Sequence, residues 1–196
     1  TLSFEEEVRS GQLENIVAAQ PAITHAEGWL IDGGKGRAVS QVDSSVEDPR
    51  LTIFAMPPES AIYRPEIGSG RWLADGDSYQ VVLHERLAQE TGWVPGDSII
   101  ISGADGREAT YEVVGTLFDP ASNSAVYLPL ENWQRESGAF DQVNTVWAQT
   151  VPGTDNPAIA AGLTTALEDQ RISVAARSTF GATTLDVRTL ALIRTG

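Results

Sequence analysis

Four groups of side chains in this sequence have the types that could do chemistry. The first is Gly96-Asp97-Ser98. A serine nucleophile in a Gly-Asp-Ser motif sits after a strand, opens a helix near the N-terminus and relies on a later histidine as base. Here Val94-Pro95 precedes the triplet, Ile99-Ile100-Ile101 follows it, and no histidine lies beyond residue 84. The serine therefore enters a strand, and Gly-Asp is turn chemistry. The second group is His25 and His84, which would have to converge with a carboxylate to hold a metal. They are far apart in the sequence and fall in different expected lobes, so each reads as a surface or internally satisfied histidine. The third is Asp75-Gly76-Asp77. A calcium loop needs further oxygen ligands and a glutamate at the twelfth position, which here is Arg86, so a turn is expected. The fourth is Gly33-Gly34-Lys35-Gly36-Arg37, which lacks the spacing and the following hydroxyl residue of a phosphate loop. No two of the many carboxylates are singled out by spacing as a glycosidase pair. The residues thus assign no catalytic, metal or cofactor site, and no cofactor is expected.

Composition narrows the class further. The chain has 196 residues, 41% of them apolar, and no cysteine. It is long enough for one large or two small domains with a real core, and it has neither a disulfide framework nor a thiolate metal site. Its formal net charge is −14. Nucleic acid is not expected as a partner, because neutralising phosphates requires clustered Lys and Arg; anionic headgroups are disfavoured for the same reason. No run approaches the roughly 20 apolar residues of a membrane span. The sequence begins at Thr1 without a methionine and ends at Leu190–Gly196 inside a helical-looking segment. Both features suggest a soluble domain cut from a longer chain.

The elements that must position these residues can be read from periodicity. Ser3 to Gln20 is predicted as a helix, with Ser3 and Glu6 at capping-box spacing, Glu5–Glu7 at its positive end and Pro21 as its stop. Ala22 to Asp32 reads as a strand, Gly33–Gly36 as a hairpin turn, and Arg37 to Asp43 as the strand pairing back. Leu51–Met56 is a further strand, ended by Pro57-Pro58. Residues 57–69 read as a crossing into a second lobe. Beyond it come strands at Tyr79–Leu83, Ser98–Ser102, Thr110–Phe118 and Ala125–Leu128. Short helices are expected at His84–Thr91 and from Pro129 to about Glu136. The chain closes with a strand at Val143–Thr150, a helix capped at Asn156-Pro157 with Ile159, Leu163, Ala166 and Leu167 on its apolar face, and a strand at Ile172–Ala176. The expected fold class is α+β: residues 1–56 and 143–196 form one lobe from both chain ends, and residues 57–142 form an inserted β-rich lobe.

The stretch from Gly70 to Pro120 adds a resemblance. It runs from a Gly70-Arg71-Trp72 entry, through Val81-Val82-Leu83 and Gly96-Asp97-Ser98-Ile99-Ile100-Ile101, to Tyr111-Glu112-Val113-Val114-Gly115 and Asp119-Pro120. In order and spacing this is similar to the extracytoplasmic core domain of MacB-like, FtsX-type ABC transporter permeases, and the order of elements matches over nearly the whole chain. The resemblance implies a ferredoxin-like porter lobe from the chain ends. It implies transmembrane helices flanking the domain, a cytoplasmic ATPase subunit or domain as partner, and a location outside the membrane, extracellular or periplasmic. The implied role is non-catalytic: coupling ATP-driven motion to export, lipoprotein release or cell-wall regulation. The rival readings are a secreted hydrolase using Ser98 or a carboxylate pair, and a structural β-rich interaction module.

Two expectations concern particular side chains. Arg71 and Trp72 open the inserted lobe and are expected to be structural, the Trp ring anchoring its core. Trp29 and Trp147 fall on the opposite strand parity from Leu30, Val146 and Ala148, which face the helices. The two Trp rings should therefore pair on the helix-free side of the sheet. If nothing covers them they would contact a second permease protomer or an accessory extracytoplasmic protein; the alternative is that a loop or the inserted lobe covers them.

Overall fold

The computed structural model describes residues 1–40, 47–119 and 122–177. Its elements, in chain order, are β1 (Leu2–Arg9), α1 (Ser10–Ala18), β2 (Ile23–Ala38), β3 (Arg50–Met56), β4 (Ile67–Gly70), β5 (Gln80–His84), α2 (Glu85–Thr91), β6 (Ser98–Gly103), β7 (Glu108–Leu117), β8 (Ala125–Pro129), α3 (Leu130–Ser137), β9 (Gln142–Thr150), α4 (Asn156–Asp169) and β10 (Val174–Arg177).

The expected N-terminal helix is replaced by β1 followed by the shorter α1. Leu2, Phe4 and Val8 are buried, and β1 lies between two antiparallel partners, pairing Leu2 with both Arg177 and Val146. A central strand gains ladders on both edges, which outweighs the local helix preference of the acidic run. Glu5–Glu7 are exposed and lie where the register with β9 slips between Ser3 and Val8. They never meet a helix dipole.

β10, β1, β9 and β2 run in that order, every pair antiparallel. With α1 after β1 and α4 after β9, this is the strand order of the split β-α-β, ferredoxin-like arrangement. The helices cover one side. There Leu13 and Val17 of α1 and Leu163 and Leu167 of α4 meet Leu2, Phe4, Val143 and Val146 in a largely aliphatic core. Helix α4 is capped by Asp155, one residue before the expected position; its side chain accepts from Ala158 N. The expected terminal helix at Leu190–Gly196 lies outside the described residues.

The second correction is the glycine run. Gly33–Gly36 make no hairpin, because β2 continues straight through them for 16 residues. Gly34 pairs with Leu51 on one edge and Gly103 on the other. A Cβ there would sit 2.5 Å from Ser102 O and 2.8 Å from Ile53 Cδ1. Close approach between neighbouring strands, not a turn, is what requires the missing side chain. Arg37 and Ala38 accordingly pair with β6, and residues 41–43 of the expected return strand lie outside the described residues.

Beyond Leu30 the pairings close on themselves, β2–β3–β8–β5–β7–β6–β2, a ring of six strands. Closure removes free edges from the ring. Ile53, Ala55, Val81, Leu83, Val126 and Leu128 point into it, joined by Trp93, Leu87 of α2 and Trp133 of α3. Their alternate neighbours Phe54, Met56, Val82 and Tyr127 point outward into a separate cluster, as strand parity demands. Leu51, Ile53 and Ala55 pack inside the ring, so β3 belongs with the β-rich part although it precedes residue 57. Strand β4, absent from the sequence reading, pairs with β7 outside the ring.

Candidate functional site

The residues of interest converge where the four-stranded sheet becomes the ring. β2 serves both. Its first half pairs with β9, from Ile23 opposite Thr150 to Trp29 opposite Thr145. Its second half pairs with β3 and β6. At the handover, Asn144 substitutes a side-chain amide for a backbone partner. Its Oδ1 accepts from Ile31 N at 2.9 Å and its Nδ2 donates to Ile31 O at 2.7 Å. The ladder is thereby continued by one rung, and no backbone group of Ile31 is stranded.

On the helix-free side, Trp29 and Trp147 pair as expected, their ring centroids 4.9 Å apart. They do not form an open face. Trp29 is 1% exposed and Trp147 4%. The crossover after β3 lies over them. Tyr63 meets Trp29 edge-on at 5.6 Å and stacks on Tyr127 at 5.5 Å, Tyr127 stacks on Phe54, and Trp72 tilts against both tyrosines. Trp72 Nε1 donates to Pro58 O at 3.1 Å, so Trp72 ties two parts of the crossover together. The expected contact of Trp29 and Trp147 with a second protomer or accessory protein is therefore corrected for the folded chain. The crossover buries apolar ring area that would otherwise remain in water.

Two carboxylates hold the crossover down. Glu27 is directly opposite Trp147 on the same face. Its oxygens accept from Ser60 Oγ at 2.6 Å, from Ala61 N at 2.7 Å and from Trp29 Nε1 at 3.4 Å, and His25 Nε2 lies 2.9 Å away. Burial alone would raise this carboxyl, but the hydrogen bonds from Ser60, His25, Ala61 and Trp29 outweigh it and hold Glu27 below its usual value. Asp119 is the second: Tyr63 OH donates to its Oδ2 at 3.0 Å, and Tyr127 OH donates to the same oxygen. Burial, then the neighbouring Asp119 charge, pushes the Tyr63 phenol well up. Burial does the same to Tyr127, with Tyr63 and Asp119 adding to it. Both phenols thus remain donors across the physiological range.

The residues with chemical potential are not assembled. Ser98 is exposed, opens β6, and accepts at its carbonyl from Val39 N. Neither histidine bonds to it: His25 is held by Glu27, and His84 is buried as the N-cap of α2, its Nδ1 accepting from Arg86 N at 3.1 Å. Asp75-Gly76-Asp77 forms a turn, with Gly76 at φ +83°. Asp77 pairs with Arg71 and accepts from Ala74 N. Among the described residues, no three His, Cys, Asp or Glu side chains are placed to share a metal ion.

Sequence reasoning found the two Trp residues but not what locks them in. Glu27 stood on the same predicted face as Trp29, and a carboxylate between aromatic positions on a strand is the signal that could have flagged it. Ser60 and Asn144 had no such local sign, since their partners are 33 and 113 residues away, and Asp119 joins Tyr127, 8 residues on, to Tyr63, 56 residues back.

Comparison with known proteins places this architecture. The family model described as MacB-like periplasmic core domain matches residues 3–166. No curated protein matches the chain in sequence. Among solved structures, the extracellular domain of the ABC-type transporter YknZ from Gram-positive bacteria superposes with a TM-score of 0.62. It is 15% identical, over 86% of this chain and 89% of that one. The periplasmic region of MacB from Actinobacillus actinomycetemcomitans gives 0.60, at 13% identity, over 85% of this chain and 76% of that one. At such identities the two structures speak to the fold.

Proposed function

Because the chain belongs to the MacB-like periplasmic core domain family of ABC transporter permeases, we propose that it is a force-transmitting domain outside the membrane. It couples motion driven by a cytoplasmic ATPase, through flanking membrane helices, to export, lipoprotein release or cell-wall regulation. Its role is mechanical and not catalytic, in keeping with Ser98 opening a strand away from both histidines. A second permease protomer or an accessory extracytoplasmic protein receives the motion. No helix among the described residues is long and apolar enough to cross a membrane. The start of β1 pairs with the end of β10, Leu2 opposite Arg177. Force entering by either strand therefore enters at one end of the sheet.

The observation that carries this reading is β2. One unbroken 16-residue strand is shared by sheet and ring, and the crossover is bolted to it through Glu27. Displacement of the sheet must then be delivered to the ring. The test uses the full-length permease with its ATPase in liposomes, carrying Glu27→Gln and Asp119→Asn together. ATP hydrolysis should persist while the coupled transport or release falls. Unchanged coupling, with faster amide exchange across residues 57–63 proving that the crossover has loosened, would refute the mechanical role.

A further inference from the structure

β2 is a central strand for most of its length, but not for all of it. On the side away from β9, pairing with β3 begins only at Leu30 opposite Ala55. The cause is in the sequence: β3 ends at Met56, and Pro57-Pro58 follow, which have no N–H to continue a ladder. From Ile23 to Gly28, β2 has β9 on one edge and no described strand on the other. A cavity of about 460 Å³ runs along this open edge. Its walls are Leu13, Glu14 and Val17 of α1, Pro57, and Leu130 at the start of α3. Leu13, Val17 and Leu130 give it apolar sides that belong to the cores described above.

An open strand edge beside an apolar groove is the arrangement that accepts an added strand. The charge selects what kind. Glu14 and Glu27 border the cavity, and among the described residues no Lys or Arg does. Glu14 is exposed on α1 and has no ion-pair partner among the described residues. The chain as a whole has 27 acidic against 13 basic residues, which adds long-range attraction for a cation. We propose that the edge of β2 from Ile23 to Gly28 docks an extended basic segment of a partner polypeptide. The segment adds to the sheet as a further strand, places alternate apolar side chains against Leu13, Val17 and Leu130, and lays Lys or Arg beside Glu14. This site stands on the geometry alone and does not depend on the membrane reading.

The experiment titrates the 196-residue chain with a labelled peptide, acetyl-Lys-Val-Arg-Val-Lys-Val-Arg-amide, followed by fluorescence anisotropy. Two further forms carry N-methyl groups on one or the other alternate set of amides, and a last form replaces every Lys and Arg by Glu. The parent peptide should bind one per chain, more weakly as salt is added. One N-methylated form should lose about ten-fold or more in affinity, because it cannot hydrogen-bond to the strand edge. The acidic form should not bind. Glu14→Lys, at an exposed position, should weaken the parent peptide by a similar factor without moving the melting curve. Amide exchange should slow at residues 23–28 in the complex. Absence of binding, equal binding of both N-methylated forms, protection elsewhere in the chain, or pairing of two copies through this edge in place of the peptide would each overturn the proposal.

Discussion

The two sides of the four-stranded sheet are both buried at β2 and β9, but by different chemistry. The helix side is closed by Leu2, Phe4, Val8, Leu13, Val17, Leu163, Leu167 and Ile172, with no polar side-chain atom among them. The opposite side is closed by Trp29, Trp147, Tyr63, Trp72 and Tyr127, and the polar tips of Trp29, Tyr63, Trp72 and Tyr127 are tied to Glu27, Asp119 and Pro58 O. An aliphatic contact tolerates sliding and repacking as long as volume is conserved. A hydrogen-bonded aromatic seam has one satisfied arrangement, and any other leaves buried donors or carboxylates unpaired. Both sides therefore stabilise the sheet, but only the aromatic side fixes where the crossover and the ring sit on it.

The largest test of that division is Trp29→Ala. Trp29 touches Trp147 and Tyr63 at the centre of the seam, and its loss leaves a cavity that the clamped crossover cannot fill. A cost of about 3–5 kcal/mol is expected in urea unfolding, with amide protection lost across residues 57–63. On the other side, Leu167→Met should cost less than about 1.5 kcal/mol, because the volume is conserved and no polar group is involved. Equal tolerance of both changes would erase the distinction.

Tyr63→Phe sharpens it, since the ring and its stacking remain and only the hydroxyl goes. Asp119 then loses one of its donors, for an expected loss of about 1.5–3 kcal/mol. If the substitution is neutral in the unfolding midpoint, the seam is held by ring packing alone.

Acid should loosen the seam selectively. Glu27 lies below its ordinary value of 4.5 in the folded chain. A depressed carboxylate contributes stability above its unfolded value, and that contribution disappears as pH falls through the folded value. The difference in stability between the native chain and the E27Q variant should be greatest at neutral pH, about 1 kcal/mol, and narrow progressively below 4.5. Asp77, also held low, titrates in both chains and cancels from that difference. A constant gap from neutral to acid pH would mean that the charge of Glu27 does not hold the crossover.

How much of this was legible depended on the range of the interaction. Strand parity is local, so alternation along two strands is enough to put Trp29 and Trp147 on the side opposite Leu30 and Val146. Turn chemistry is local, so Asp75–Asp77 and Val94–Asp97 could be read as turns. The acidic run Glu5–Glu7 misled because a helix cap and an exposed strand segment look alike until the partners on both edges are known. Gly33–Gly36 misled for a related reason: glycine marks either a turn or a close approach, and only Ser102 O and Ile53 beside Gly34 decide between them. Ring closure and the anchoring of Ser60 by Glu27 join residues remote in the chain, and no window of sequence contains both halves.

The smallest expected effect lies at the margin of the seam. Arg71 donates to both oxygens of Asp77, at 2.7 and 3.0 Å, and to Trp72 O at 2.9 Å. Its geometry is that of a good bidentate pair, but the guanidinium is about half exposed, so water and salt screen it. Arg71→Ala should cost about 0.2–1 kcal/mol, less in high salt. Burial by itself would raise the Asp77 carboxyl; the Arg71 hydrogen bond and Ala74 N hold it down. Removing Arg71 should therefore let Asp77 titrate at higher pH in the folded chain, so that the cost of the substitution is greatest at neutral pH and shrinks in acid. The check is the urea midpoint at low and high salt, at neutral pH and again in mild acid. Trp72, the next residue, reaches into the seam while Arg71 stays in solvent. A loss above about 2 kcal/mol, indifferent to salt, would show that the pair acts on Trp72 as a buried contact does, and the boundary of the seam would have to be drawn to include it.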